Sequence, residues 1–584
     1  MKKRLLSVIL VVTMVLSLAA CGDKKEPAKN EDTNATTPAG DASTEVTDPV
    51  EELDYQYGVE TTFHSDEPVT YSIFFSDASW YPMVDTWKTE GFFAKVAELT
   101  NVNLDVTSID SGDYNDKTAL MINAGESAYI IPKVYDESPF VDGGAVVSVS
   151  DWVQYMPNYT KFYEDYNMES DVNTIVRADG KYYRLPGMKE TSLQDYTLMV
   201  RTDIFEAAGY DALTLQKDWT WEDLYEILVG VKAYMVEEGM CAESDYIWSD
   251  LWCGNESGQG NGGNLLKLIG ASYNVPSGWA IGNGIAYDAD KDEFYFGSTS
   301  DDYKAFVTLV NKFISAGILD PETFIQDDAV ANNKFYRGES AIISVNRSQY
   351  TSWLSGLDEG LGKDNYKADI VMYPMGLNNY SNENSRLECG VMIASKALEE
   401  LGEEEFIKML RFVDWLWYSE EGQIFCKWGV EGQTWEWKTD ENGDKVRGLL
   451  DDYYCGGLSI AATDEEAQKD MRLEFGYAGG NFMMNTGSIT VQTDHFSSVF
   501  RNLYADFDEY REIRPLDPTI ATTEDENEQI NLWKTPLIDN VNAWTLQFIT
   551  GQKSVEADWD AYVKSCEGLN SIKMVDLFNE IYKR

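Results

Sequence analysis

Between residues 69 and 131 apolar residues come in short runs whose period switches between 2 and about 3.6, and each switch predicts a change of element. Val69 to Phe75 is a β-rich run, and Phe92, Phe93, Val96 and Leu99 then mark one face of a helix. Val102 to Val106 reads as the next strand, the stretch through Ala119, Leu120 and Ile122 as the next helix, and Tyr129-Ile130-Ile131 as a third strand. Such a βαβαβ start predicts an open, mostly parallel sheet covered by helices, with a ligand crevice at the strand C-termini. Asp77 and Trp80, just beyond the first strand, fall at that edge. Farther on, Thr220 followed three residues later by Asp223 predicts a capped helix start.

The longest apolar run, Leu5 to Leu18 behind Lys2, Lys3 and Arg4, has the length of a signal-peptide core and is too short for a comfortable membrane span. It ends in Leu18-Ala19-Ala20-Cys21-Gly22, which resembles the lipobox of bacterial lipoproteins. That resemblance implies an acylated Cys21 as the mature N-terminus and an exported body held at the membrane by lipid. Residues 1–20 are therefore expected to be a signal peptide. Residues 21–66, rich in Thr, Ala, Pro, Asp and Glu, are expected to be the lipidated cysteine and a disordered tether.

Composition narrows the chemistry. The 584 residues carry 46 basic against 100 acidic side chains, a net charge of −54 that repels phosphate backbones and excludes nucleic-acid binding. With 43% apolar and 13% aromatic residues the chain nonetheless has material for more than one core. Two histidines, His64 and His495, leave no histidine-rich zinc site and almost no route to a Ser-His or Cys-His nucleophile. Beyond Cys21 six cysteines remain, too sparse to be the main staple of the fold. No cofactor or metal is expected. Gly258 to Gly263 satisfies GxGxxG by letter, but no strand leads into it, so it reads as a glycine-rich loop. Asp288-Ala289-Asp290-Lys291-Asp292 alternates acids like a calcium loop, yet Glu293 and Thr299 replace the required Gly and Glu, which leaves a hairpin turn before Phe294. Asp440 to Asp444 likewise reads as a solvated hairpin tip.

Several ordered segments carry a family resemblance. Lys117 to Gly125, Gly143-Gly144-Ala145, Met156-Pro157-Asn158-Tyr159 and Asp179 to Pro186 are similar to the first lobe of solute-binding lipoproteins of carbohydrate ABC importers, in their large Gram-positive branch. Arg201 to Gly209, Trp219 to Leu224, Ser315 to Glu322, Gly338 to Ala341, Tyr418 to Gln423 and Trp428 to Gly432 continue it, so the resemblance spans about residues 67–445. It implies an α/β, two-lobed, periplasmic-binding-protein-like type II fold with a hinge. The lobes are expected at 67–191 plus 367–393 and at 192–366 plus 394–584. Two departures, Glu126 in place of the usual Asp after Gly125 and Trp435 in place of Tyr, fall near the expected ligand lip.

Tryptophan is in excess, with 17 in the chain, and many stand beside glycine or polar residues. A sugar ring presents an apolar C–H face inside a hydroxyl rim, so its site needs aromatic platforms edged by polar groups. Trp248, Trp252, Trp353, Trp428, Glu431 and Trp435 join Asp77, Trp80 and Glu126 as candidate contacts. Trp248 and Trp252 are four residues apart and would share one face if the segment from Tyr246 is helical. For Trp248, Trp252 and Trp435 platform and core readings both stand; Trp415 and Trp417 read as core. Arg347, after an apolar strand, is either a clamp on the ligand or an internal ion pair. The expected function is capture of an oligosaccharide between the lobes, without catalysis, and its delivery by a monomer to the importer's permease. A surface glycoside hydrolase and a non-transporting glycan receptor are the competing readings.

Overall fold

The computed structural model describes residues 63–78, 81–141, 143–192, 196–251, 263–346, 350–381, 385–439, 443, 445–455, 469–478, 507 and 509–584. Cys21, Trp80, Trp252 and Arg347, the signal segment and most of the tether lie outside these residues. Phe63 is already packed edge-on against Phe412 at 5.8 Å, so the folded body begins before the expected tether boundary at residue 66.

Lobe 1 is built on a five-stranded sheet of β1 (Val69–Asp77), β2 (Val102–Asp110), β3 (Ile130–Val134), β4 (Leu185–Met188) and β11 (Leu387–Ile393), in the order β2-β1-β3-β11-β4. β1 is parallel to β2 and β3, while β11 returns antiparallel between β3 and β4. The expected helices form at Phe92–Thr100 and Tyr114–Asn123. Helices cover both faces, which is why the strands are apolar on alternate sides rather than on one. Tyr71, Ile73 and Phe75 enter one core with Phe92, Phe93 and Val96, and Phe74 enters a smaller core with Tyr114 and Ile122.

Lobe 2 carries a three-stranded sheet, β8-β5-β9, of β5 (Tyr196–Val200), β8 (Ile342–Asn346) and β9 (Asp369–Val371), all pairs antiparallel. Its core takes the helix Trp221–Glu237, whose start has the expected box: the Thr220 hydroxyl accepts from Asp223 N–H, and the Asp223 carboxylate from Thr220 N–H. A hairpin of β6 (Ile285–Asp288) and β7 (Glu293–Phe296) is closed by the Lys291–Asp288 ion pair at 2.7 Å. The Tyr582 hydroxyl donates to Asp292 at 2.7 Å, so the last helix, Ser571–Tyr582, holds the hairpin tip to the lobe.

Two segments sit in the lobe opposite to the one expected. β9, assigned to lobe 1 from sequence, pairs with β5 of lobe 2. The helix Ser395–Tyr418, broken at Gly402 where φ is 74°, packs into the lobe 1 core with the helix Glu420–Trp428. The hairpin of β12 (Trp435–Thr439) and β13 (Lys445–Leu449) joins them there through Trp435 and Leu449, whereas all of 394–584 was assigned to lobe 2. Among the described residues after 394, those from Phe507 onward, including the helices that begin at Glu524, pack on lobe 2. An apolar stripe announces that a helix is buried, not which sheet buries it. Two short parallel ladders pair β14 (Tyr453–Tyr454) with β15 (Lys469–Asp470) and β10 (Tyr380–Ser381) with β16 (Glu512–Ile513).

Candidate ligand cleft

The chain passes between the two cores from Met188 to Tyr196, from Val371 to Leu387, and from Ala478 to Phe507. In lobe 1 the edge from which these strands leave carries the C-terminal ends of β1, β2, β3 and β4 and the start of β11. In lobe 2 the matching edge carries the start of β5 and the ends of β8 and β9. The sheet edges at which the chain leaves one lobe for the other mark the candidate cleft, because parallel strand ends are where α/β sheets bind ligands.

On the lobe 1 edge Asp77 is half-buried. One oxygen accepts the Met83 N–H at 3.1 Å and the other the Ser108 hydroxyl at 2.6 Å, so the carboxylate organises the loop after β1. Beside it β3 bulges: Gly390 faces Val134 but Met392 faces Ile131, and Lys133 takes φ 63°. Bulges re-aim side chains next to sites, and left-handed backbone at a non-glycine residue is sparsely populated. Just beyond the bulge Tyr135 is 55% exposed, with Lys133 Nζ 5.4 Å from its ring centroid. Toward the hinge, Lys189 is 3.3 Å from Glu388, and Arg184 pairs with buried Glu137 at 2.9 Å. Burial alone would push the Glu388 carboxyl up, but Lys189 and Lys133 outweigh it and hold the group below the usual carboxylate range.

On the lobe 2 edge Tyr196 opens β5. Its ring meets Trp279 edge-on at 5.1 Å and carries Lys267 Nζ at 4.7 Å. The Trp279 indole nitrogen is buried with no hydrogen-bond partner among the described residues.

The sequence-derived candidates divide sharply. Trp248 is fully buried: its indole N–H donates to Asp250 at 2.6 Å and its ring packs edge-on against Phe313 at 5.5 Å. Its segment is extended, bridged to Leu319 and Ile342, and not helical as the four-residue spacing to Trp252 had suggested. Trp353 is buried against Phe335 and Tyr336, and Trp428 and Trp435 lie buried 6.4 Å apart. These four indoles are packed against protein rings or elements rather than open for stacking. Trp415 and Trp417 are in the core, as the sequence indicated. Glu126 is exposed, but it precedes β3 and so lies at the opposite sheet edge from the one where the chain leaves for lobe 2. Glu431 is exposed in the turn before β12. Tyr135 was missed. The strand-end argument that selected Asp77 after β1 selects Tyr135 after β3 when applied to the third strand as well.

The chain belongs to the bacterial extracellular solute-binding protein family, whose pattern is matched over residues 92–411. Among individual proteins it is similar to the lipoprotein LipO of Bacillus subtilis (strain 168), 22% identical over 344 residues. That match covers 58% of this chain and 63% of LipO, under two thirds of the relative's length. Solved structures share the fold over nearly their whole length. The alginate-binding protein AlgQ2 without calcium ion aligns with a TM-score of 0.63 at 14% identity, over 90% of this chain and 99% of that one. The S. pneumoniae ABC-transporter substrate-binding protein FusA in complex with kestose aligns with a TM-score of 0.62 at 16% identity, over 88% and 99%. At such identities the likeness is one of architecture, two α/β lobes.

Proposed function

We propose that this protein captures an oligosaccharide between its lobes and hands it to the permease of an ABC importer, as a monomer tethered by lipid on Cys21 to the outer face of the cytoplasmic membrane. The observation that supports this reading is the exposed Tyr135 ring at the edge of lobe 1 from which the chain leaves, with the Tyr196–Trp279 pair at the edge of lobe 2 where it enters. The structural relatives that bind alginate and kestose support a glycan as the solute. Chemistry on the ligand is not part of the reading. Asp77 is engaged by Met83 and Ser108, and Glu388 is held ionised by lysines, the opposite of the raised carboxyl a glycosidase uses as its acid.

Calorimetric titration with kestose, alginate oligomers and other defined glycans is expected to find a saturable ligand that chromatography recovers unchanged; shorter products would favour the hydrolase. Tyr135→Ala is expected to weaken that binding several-fold, the equivalent of about 0.5–1.5 kcal/mol of ring stacking, with little change in melting temperature. Equal affinity in the variant would remove Tyr135 from the site. For the anchor, Cys21→Ala is expected to shift the protein out of the membrane fraction or leave it unprocessed. A variant that stays with membranes at the wild-type mature size would rule out lipidation at Cys21.

A further inference from the structure

Among the described residues, six of the eight non-glycine positions with left-handed backbone are Asn or Asp lying between elements, where that conformation costs little. Lys133, at φ 63° inside β3, is of a different kind. Its consequence is legible in the two cores of lobe 1. Ile130 enters the larger core and Ile131 the smaller, as alternation along a strand requires. Continued alternation would return Val134 to the larger core and send Tyr135 into the smaller. Val134 instead joins Ile131 in the smaller core, because Pro132 and Lys133 stand between register partners that only Val391 separates on β11. One extra residue reverses the facing of everything after it. Tyr135 is thereby turned out of the smaller core and stands exposed at the strand end.

The bulge is held from three sides. Pro132 has no N–H to give to the ladder, and its carbonyl accepts the buried Tyr114 hydroxyl at 2.7 Å. The Val134 carbonyl accepts Arg184 Nη1 at 3.4 Å, and the same guanidinium reaches the Glu388 carbonyl at 3.2 Å and the Glu137 carboxylate at 2.9 Å. Arg184 fits there because β11 has Gly390 at that point, where a Cβ would come within 2.5 Å of Arg184 Cγ. Sparsely populated backbone persists where its surroundings over-determine it, and such residues gather at functional sites. The Lys133 side chain then meets the ring that its backbone has re-aimed. Nζ is 5.4 Å from the Tyr135 ring centroid and lies beside the Glu388 carboxylate, which it helps to keep ionised. Burial of the phenol end pushes the Tyr135 hydroxyl up to about 12, and Lys133 is the strongest influence against that rise.

We propose that Lys133 is a positioning residue for ligand: its left-handed backbone turns Tyr135 out of the packed face of the sheet, and its ammonium holds the ring at the cleft edge. The inference rests on the reading of Tyr135 as a ligand contact and on no particular glycan. It assigns Lys133 no contact of its own with the ligand.

The test uses the full chain with 3-fluorotyrosine installed at position 135, whose fluorine resonance reports the ring directly, alongside calorimetric titration with kestose, alginate oligomers and other defined glycans. Lys133→Gly takes the left-handed conformation without strain but lacks the ammonium. It is expected to keep the wild-type melting temperature or exceed it, to shift and broaden the resonance, and to bind the glycan several-fold more weakly. Lys133→Arg keeps the charge and should restore both the resonance and the affinity. Lys133→Val, whose branched side chain resists positive φ, should lower the melting temperature. A wild-type resonance and affinity in Lys133→Gly would overturn the proposal, as would an arginine variant that restores neither. A resonance that responds as expected in a protein that binds none of the glycans would leave the placement of Tyr135 by Lys133 standing and remove the glycan-capture reading instead.

Discussion

Replacing Trp248 by alanine is expected to destabilise lobe 2 by about 3–5 kcal/mol, the usual cost of truncating a fully buried indole. Two losses add. The ring leaves a cavity against Phe313, and its N–H leaves Asp250, a carboxylate with no exposure whose other partners are Ser344 and the Leu251 N–H. Burial already pushes the Asp250 carboxyl above its ordinary value, and the hydrogen bonds it accepts, from Ser344 and then Trp248, counter that rise, so removing the indole makes its charge costlier still. Denaturant unfolding should show the midpoint falling steeply at unchanged slope. A variant with an unchanged midpoint and weakened glycan binding would return Trp248 to the cleft.

Asp414 should give the protein a component of stability that grows as the solution is acidified. It lies in the helix Ser395–Tyr418 and accepts from Asn158 N–H at 3.0 Å, the Asn158 amide at 2.8 Å and Tyr159 N–H at 2.8 Å, at the start of the helix Pro157–Asp165. Burial nevertheless raises its carboxyl to about 6; those bonds and nearby Arg411 offset only part of the penalty, and Tyr418 is the other titratable neighbour. The folded-state value lies above the unfolded value of about 3.9, so the folded form binds the proton more tightly. The contribution is therefore fullest below about pH 4, declines as pH rises through about 6, and is flat above that. Its span is about 3 kcal/mol at about 1.4 kcal/mol per pK unit. Subtracting the unfolding free energies of Asp414→Asn from those of wild type between pH 4 and 7 isolates it. A difference that grows with rising pH would contradict the assigned direction.

The first three strands and their helices could be read from the sequence because each is fixed by local pattern: β1, β2 and β3 form where short β-rich apolar runs predicted them, with the helices at Phe92–Thr100 and Tyr114–Asn123 between them. The Thr220–Asp223 box was legible for the same reason, since both partners lie within one turn. The candidate site was less so. Trp248, Trp353, Trp428 and Trp435 have the composition of ring-stacking platforms, yet the atoms that cover them, such as Phe313 over Trp248 and Phe335 over Trp353, come from distant segments. Glycine and polar neighbours in sequence say nothing about what packs on the face of a ring.

The sequence by itself determined the alternation of the first strands and helices and the capped helix start, because these depend on neighbours a few residues apart. Only the tertiary structure decided which lobe holds β9 and the helix Ser395–Tyr418, and which aromatic rings are covered and which stand open. Those outcomes depend on contacts between residues far apart in the chain, as between Leu198 and Val371 or Trp248 and Phe313, and such pairings leave no periodic trace in a single sequence.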